Sequence, residues 1–244
     1  MIKRIFSSQS KTITGAAIIL GAASFISRIV GVVRDRILAH HFGAGDVLDA
    51  YYAAFRIPDL IFNLLIAGAL SAGFIPVFLH IWQKNKEEAW QLTSRVLNIV
   101  LLFFIIICGA LYIFMPQLAE LIAPGFDQEK QQLIIQLSRI MLLSPILLGI
   151  SSVVSSALHA IKNFLVFAIS PILYNIGIII GVVCFVPTHG PTGLAWGVIL
   201  GAILHVSIQL PALFHHGFSY KFSFGWSDSN VRKIGKLIIP RTLG

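Results

Sequence analysis

Seven ionisable side chains interrupt two long apolar stretches near the start of the chain, and their types and spacing could do chemistry. A charged group at the centre of a bilayer costs about 2.5–3.5 kcal/mol on insertion scales, so such residues pair with one another or line water-filled pathways. Arginine suits phosphate or carboxylate oxygens because its planar fork stays protonated. The seven residues are Arg28, Arg34, Asp35, Arg36, Asp49, Arg56 and Asp59.

If both stretches are helical, the polar residues of each form a stripe along one face. The first stripe repeats at i, i+4, i+7 and i+11 and contains Ser24, Arg28, Gly31 and Asp35. The second repeats every seventh residue, with one flanking member, and contains Asp49, Arg56, Asn63 and Asp59. Two such helices joined by a short turn can face the same water-filled cavity. The spacing therefore predicts a polar cavity inside an apolar bundle.

Two interpretations of these stripes remain open. In the first, Arg28, Arg34 and Arg56 bind an anionic substrate in a cationic cavity. The residues that would pair with them and gate the cavity are Asp35, Asp49, Asp59 and Asn63. In the second, the arginines and aspartates only pair with each other, or reach the membrane interface with their long side chains.

The sequence lacks the residue patterns of metal binding and of the common catalytic motifs. His80, His159 and His205 have no second metal ligand at i+3 or i+4, so no metal site is expected. Cys108 and Cys184 lie in apolar runs and are interpreted as core residues. No phosphate-binding loop, nucleophile elbow or zinc-protease motif occurs. We therefore expect no cofactor and no enzyme activity.

The composition indicates a helical membrane protein. Hydrophobic residues make up 57% of the 244 residues and charged residues only 11%, which excludes an ordinary soluble enzyme and a disordered chain. Apolar runs such as 97–114 and 172–186 have helix-spanning length. The net charge of +8 does not require nucleic acid as a partner, because cytoplasmic loops of membrane proteins are rich in Lys and Arg.

Apolar runs and turn residues predict an all-α polytopic transmembrane bundle. Its six spans are expected at 12–38, 47–82, 89–115, 128–160, 164–186 and 192–214. They form one transmembrane unit, 12–214, between a cytoplasmic N-terminus, 1–11, and a cytoplasmic loop, 215–230. The segment 231–244 is expected to be the start of a truncated seventh helix, so that the chain would be a fragment.

Prolines predict where the expected helices bend or end. The second span should be kinked or broken at Pro58 and Pro76, and the fourth contains Pro145. The third should stop at Pro116, with a short amphipathic piece over 117–122. We expect Gly31, Pro58 and Pro76 to act as hinges, although small residues can equally serve close helix packing.

Basic residues predict the orientation. Six spans place both ends of the chain on one side, and that side carries Lys3, Arg4, Lys11, Lys84, Lys86, Lys162, Lys221, Arg232, Lys233 and Lys236. The outer loops hold Lys130, with Arg36 near the first of them. The positive-inside rule therefore places the N-terminus in the cytoplasm.

Several blocks resemble a known family. They are the segments SRIVGVVRD (27–35), FGAG (42–45), DAYYAAFRIPDL (49–60), GALS (68–71), FIPV (74–77) and APGF (123–126). The pattern is similar to that of the MurJ (MviN) family, the lipid II flippases of bacterial cell-wall synthesis, in the multidrug/oligosaccharidyl-lipid/polysaccharide (MOP) exporter superfamily. The resemblance implies a MurJ/MATE-like N-terminal lobe of a fourteen-helix protein in the cytoplasmic membrane.

The resemblance also implies how the site would work. Arg28 and Arg34 match the family's essential arginines and would hold the pyrophosphate of lipid II during alternating access, while Asp35 and Asp49 exchange partners. Arg56 matches a basic position before the proline. The expected partners are lipid II, membrane lipids and the missing C-terminal lobe, and a coupling ion is left open.

The sequence departs from the family's pattern on the second helix. A family arginine four residues after the Pro-Asn pair is Phe62 here, and the acidic residue five further on is Ala67. Either Arg56 takes over the anion contact, or fewer charges hold the headgroup, or the substrate differs. Two alternatives therefore stay open: an exporter of another polyprenyl-pyrophosphate sugar, and an inactive membrane scaffold.

Overall fold

The computed structural model describes residues 13–43, 45–66 and 69–243, and all regular structure within these ranges is helical. The expected cytoplasmic N-terminus, 1–11, lies outside them. The helices are α1 (Ile13–Phe42), α2 (Asp46–Ile66), α3 (Ala69–Trp82), α4 (Lys86–Ile122), α5 (Gln128–Met141), α6 (Leu143–Ala160), α7 (Phe164–Ile180), α8 (Val186–His189), α9 (Thr192–Ser207), α10 (Leu210–His215) and α11 (Ser229–Leu243). A π-helical turn, Gly181–Phe185, joins α7 to α8.

Five segments of the described chain are long and apolar enough to cross a membrane. They are Ala17–Phe42, Lys86–Ile122, Gln128–Ala160, Phe164–His189 and Thr192–His215. The chain is thus a multi-pass, all-α membrane bundle, as the composition predicts.

Within the expected second span the structure describes two helices, α2 and α3, and residues 67–68 between them lie outside the described residues. Neither helix is broken at its proline. Helix α2 continues through Pro58 and α3 through Pro76. At Pro58 the missing N–H leaves the carbonyl of Ala54 without its helical donor, and the buried Ser138 hydroxyl of α5 donates to that carbonyl at 3.3 Å.

The prediction that the third helix stops at Pro116 is wrong. Helix α4 runs on to Ile122 and includes the expected short piece 117–122. Pro116 cannot donate to the carbonyl of Tyr112. Arg139 of α5 takes that role, with its Nε 3.2 Å from the Tyr112 oxygen. Because a neighbouring helix satisfies the carbonyl, the helix tolerates the proline.

The expected fourth helix, 128–160, is divided at Leu142 into α5 and α6. Pro145 lies in the first turn of α6, where backbone N–H groups have no helical partner in any case. Pro145 has no N–H to donate to the carbonyl of Met141, and the helix is divided three residues before it, at Leu142. The division leaves α5 as a short helix wedged between α2 and α4.

Glycines bring α7 and the π-helical turn that follows it into backbone contact with α9. A Cβ added to Gly177 would lie 2.3 Å from the Cα of Gly201, and one added to Gly181 would lie 2.3 Å from the Cα of Gly197. Such small-residue surfaces let membrane helices approach closely. The contact fixes α7, which carries one wall of the polar cavity.

Candidate functional site

Arg34 is held in a defined position between α1 and α7. Its Nη1 donates to Oδ1 of Asn175 at 2.8 Å, and its Nε and Nη2 lie 2.9 and 2.8 Å from Oδ1 of Asp35. Asn175 is itself fixed, because its Nδ2 donates to the carbonyl of Pro171 at 3.0 Å. The guanidinium plane is therefore oriented by two side chains from different helices.

Arg34 borders a cavity of about 320 Å³ between α1, α2 and α7. The lining combines three charged groups, three phenols and two apolar side chains: Arg34, Arg56, Asp59, Tyr51, Tyr52, Tyr174, Leu38 and Phe55. Guanidinium and phenol groups are hydrogen-bond donors that suit anionic oxygens. The cavity can therefore accept an anion beside a single carboxylate, Asp59.

Arg56 lies between this cavity and a second one. Its Nη1 donates to the carbonyl of Ile122 at 3.2 Å, at the C-terminal end of α4, where carbonyls lack helical donors. The second cavity, of about 300 Å³, is lined by Asp49, Tyr52, Arg56 and the loop 122–126. Arg56 thus joins the end of α4 to both polar spaces.

Asp49 pairs with a lysine in this structure. Its Oδ2 lies 3.7 Å from Nζ of Lys130, and Asp46 forms a closer ion pair with the same ammonium group. Lys130 belongs to the first turns of α5, so these contacts tie the start of α2 to the start of α5. Asp35, in contrast, pairs with its neighbour Arg34.

The remaining predicted residues are placed as follows. Arg28 and Asn63 are exposed and line neither cavity. At Gly31 an added Cβ would have Asn175 Oδ1 as its nearest neighbour at 4.0 Å, so this glycine faces α7. Pro58 is buried and Pro76 exposed. Their roles as ligands or hinges stay predictions.

The sequence analysis gave no role to the three tyrosines of the cavity, Tyr51, Tyr52 and Tyr174, or to Asn175, which holds Arg34. The last two were overlooked because helices without charge were given no role. The available signal was a pair of polar residues, Tyr174-Asn175, inside the apolar run 172–186. A hydrogen-bonding side chain in such a run needs a partner, and here that partner is Arg34.

The chain is similar to proteins of one family. A family model described as "Lipid II flippase MurJ" matches residues 38–244. A probable lipid II flippase MurJ of Rickettsia prowazekii (strain Madrid E) is 31% identical over 235 residues, covering 95% of this chain and 46% of the relative. One of Buchnera aphidicola subsp. Acyrthosiphon pisum is 34% identical over 227 residues, covering 91% and 44%. The chain thus spans about half the length of these curated relatives.

Solved structures show the same relationship. A lipid II flippase MurJ in an inward closed conformation matches with a TM-score of 0.73 and 26% identity, over 91% of this chain and 47% of the other. An outward-facing multidrug resistance MATE transporter of the MOP superfamily matches with a TM-score of 0.68 at 17% identity, over 98% and 54%, which shows a shared fold alone.

Proposed function

This chain belongs to the MurJ family of lipid II flippases, and we propose that it is the N-terminal lobe of a protein that moves lipid II across the cytoplasmic membrane. The lipid-linked precursor would pass from the inner to the outer leaflet by alternating access. The protein is then a transporter that makes and breaks no covalent bond. Its substrate is an anion, because lipid II carries a pyrophosphate.

The observation that carries this proposal is the oriented guanidinium of Arg34 at the wall of the polar cavity. An arginine side chain has five N–H donors. Asn175 and Asp35 occupy three of them, which leaves two for oxygens of the substrate. Asp35 balances the charge of Arg34, and a phosphate oxygen would take over part of that role.

Arg56 is the second proposed anion ligand. It would compensate for Phe62 and Ala67, which stand where the family pattern has an arginine and an acidic residue. One N–H of Arg56 donates to Ile122, and the others remain available towards the two cavities. Asp59 would then balance the charge of the arginines as the cavity opens and closes, and Asn63 would offer a neutral hydrogen-bonding group.

Arg28 and Asp35 are exposed, and we propose that their side of α1 faces the second half of the cavity in the whole protein. In that arrangement Arg28 contacts the substrate from the open side, and Asp35 and Asp49 exchange partners between the two conformations. The hinges would be Gly31, Pro58 and Pro76. The N-terminus lies in the cytoplasm, and a coupling ion or the membrane potential drives the cycle.

The proposal is tested by rescue of cells depleted of their own lipid II flippase. The full-length protein with Arg34→Gln should fail to prevent lysis, because the variant loses the oriented charge. Arg36→Gln is the matched control, since Arg36 is exposed on the same helix and lines neither cavity; it should rescue normally. Full rescue by Arg34→Gln at equal expression would contradict the proposal. Rescue of a surface-polysaccharide defect instead of lysis would indicate the related exporter.

A further inference from the structure

A second concave surface, on other helices, combines an arginine with apolar walls. This groove has a volume of about 870 Å³, within the roughly 300–1,000 Å³ typical of ligand sites. It lies between α4, α5, α6 and α9 and shares no lining residue with the Arg34 cavity. Its apolar part includes Ile105, Cys108, Gly109 and Ile146. Two of its lining side chains, Tyr112 and Trp196, are exposed at the surface.

The polar end of the groove is formed by one face of α5. Gln132, Gln136 and Arg139 follow each other at i, i+4 and i+7 and all line the groove. The Arg139 guanidinium lies over the Tyr112 ring, 4.7 Å from its centroid, and Nε donates to the Tyr112 carbonyl. In the described part of the chain Arg139 has no acidic partner. Its remaining N–H groups are therefore uncompensated donors at the head of an apolar groove.

The position of Arg139 along the bundle suits contact with a lipid phosphate. Helix α4 has 37 residues and is about 55 Å long, whereas the hydrocarbon core is about 30 Å thick. Its apolar run, 97–114, ends close to Tyr112, and polar residues Gln117 and Glu120 follow. Tyr112 and Trp196 are of the type that marks the membrane interface. We therefore expect Arg139 to lie where hydrocarbon gives way to headgroups.

We propose that this groove binds one anionic phospholipid of the surrounding bilayer. Its phosphate is held by Arg139, with Gln132 and Gln136 as neutral donors to the phosphate and ester oxygens. One acyl chain lies along Cys108, Gly109 and Ile146. Charge complementarity selects this occupant, because a phospholipid joins a phosphate to an apolar chain at the depth at which the groove joins Arg139 to apolar walls.

Arg139 also has a structural role, so its charge must be removed without disturbing α4. Pro116→Ala restores the N–H that donates to Tyr112, and Arg139 is then no longer needed for that carbonyl. The informative comparison is therefore Pro116→Ala against the double variant Pro116→Ala with Arg139→Gln. The groove itself is tested by Gly109→Leu, because a Cβ at Gly109 would meet nothing within 4 Å and the leucine would fill the space for the acyl chain.

Binding is measured by native mass spectrometry on the purified full-length protein, with phosphatidylglycerol and with diacylglycerol of the same acyl chains. We expect the Pro116→Ala protein to bind phosphatidylglycerol well and diacylglycerol weakly. Replacement of Arg139 in that background should weaken phosphatidylglycerol binding about tenfold, since a hydrogen bond to a charged group is lost. Gly109→Leu should weaken it as well.

The position of the lipid is checked with a phosphatidylglycerol that carries a photoreactive acyl chain. Crosslinks are expected in the peptides that contain 105–112 and 140–146, and Gly109→Leu should reduce them. Equal binding of phosphatidylglycerol with and without Arg139, equal binding of diacylglycerol, or crosslinks confined to other helices would each overturn the proposal. So would displacement of phosphatidylglycerol from these peptides by a polyprenyl pyrophosphate, since the groove would then belong to the transported lipid. Transport is not a readout here, so this test is independent of the proposed flippase activity.

Discussion

At the scale of single residues, the conformation of Arg34 depends on a neutral side chain from a distant part of the sequence. Asn175 accepts from Nη1 at 2.8 Å and is itself held by Pro171. Without Asn175, the carboxylate of Asp35 would hold the guanidinium of Arg34 from one side only. The amide thus preorganises the arginine without cancelling its charge, which matters for a group that must attract an anion.

Replacement of Asn175 should therefore impair transport while the protein still folds. Asn175→Leu removes the acceptor but suits an apolar membrane helix, and we expect transport to fall about tenfold, as for a hydrogen bond to a charged group. Asn175→Asp keeps an acceptor oxygen at the same position and should retain more activity. The measurement is flipping of lipid II by reconstituted full-length protein. Equal activity of the leucine variant and the unchanged protein would show that Arg34 needs no such support.

At the scale of elements, α5 compensates for prolines in the two helices beside it. Ser138 donates to Ala54, whose carbonyl Pro58 leaves without a donor, and Arg139 donates to Tyr112, whose carbonyl Pro116 leaves without one. Two consecutive residues thus serve two different helices. In hydrocarbon no water can replace these donors, so the continuity of α2 and α4 depends on α5.

This dependence predicts a coupling between Ser138 and Pro58. Ser138→Ala should lower the free energy of unfolding by about 1 kcal/mol, because the Ala54 carbonyl loses its donor. In a Pro58→Ala background the backbone N–H is restored, and the same serine replacement should cost close to nothing. Unfolding of the four proteins in a denaturing detergent gives the coupling energy. Equal costs in both backgrounds would contradict the explanation given for the continuity of α2.

The glycine contact between α7 and α9 is a second feature of this scale. Gly177→Ala places a Cβ 2.3 Å from a backbone atom of α9, which cannot move away without separating the helices. We expect a loss of about 1–3 kcal/mol, as for other overpacked sites. Gly109→Ala is the matched control, because nothing lies within 4 Å and alanine favours helix by up to about 1 kcal/mol. Thermal unfolding of both variants measures the loss of stability. A larger loss for Gly109→Ala than for Gly177→Ala would contradict the close contact between α7 and α9.

At the scale of the whole molecule, the proposed functions occupy different helices. The polar cavity lies between α1, α2 and α7, whereas the apolar groove lies between α4, α5, α6 and α9. Two helices contact both regions: α4 lines the groove and accepts a hydrogen bond from Arg56 at Ile122, whereas α5 supplies Arg139 to the groove and pairs Lys130 with Asp46 of α2. A bilayer lipid in the groove can therefore support the bundle without entering the path of the transported substrate.

The orientation of the bundle is open to direct measurement. The excess of basic residues predicts that the loop before α11 is cytoplasmic and that the turn before α9 faces outwards. Single cysteines at Thr188 and Ser227, both exposed, report the two sides once Cys108 and Cys184 are replaced. A membrane-impermeant maleimide should label Thr188→Cys in intact cells and Ser227→Cys only after permeabilisation. The reverse pattern would place the N-terminus outside.

Composition and pattern alone determined that this chain is a helical membrane bundle and that Arg34, Arg56 and Asp59 are among its unusual residues. These properties are local, because apolar runs and charges within them are visible in a short window of sequence. The tertiary structure decided which side chains pair with these charged residues. Asn175, the partner of Arg34, lies 141 residues away in the sequence. Asp49 pairs with Lys130 and not with an arginine. The same holds for α4, which passes through Pro116 because Arg139 supplies the missing donor. A membrane helix tolerates a proline where a neighbour satisfies the freed carbonyl, and which residues become neighbours is settled by packing.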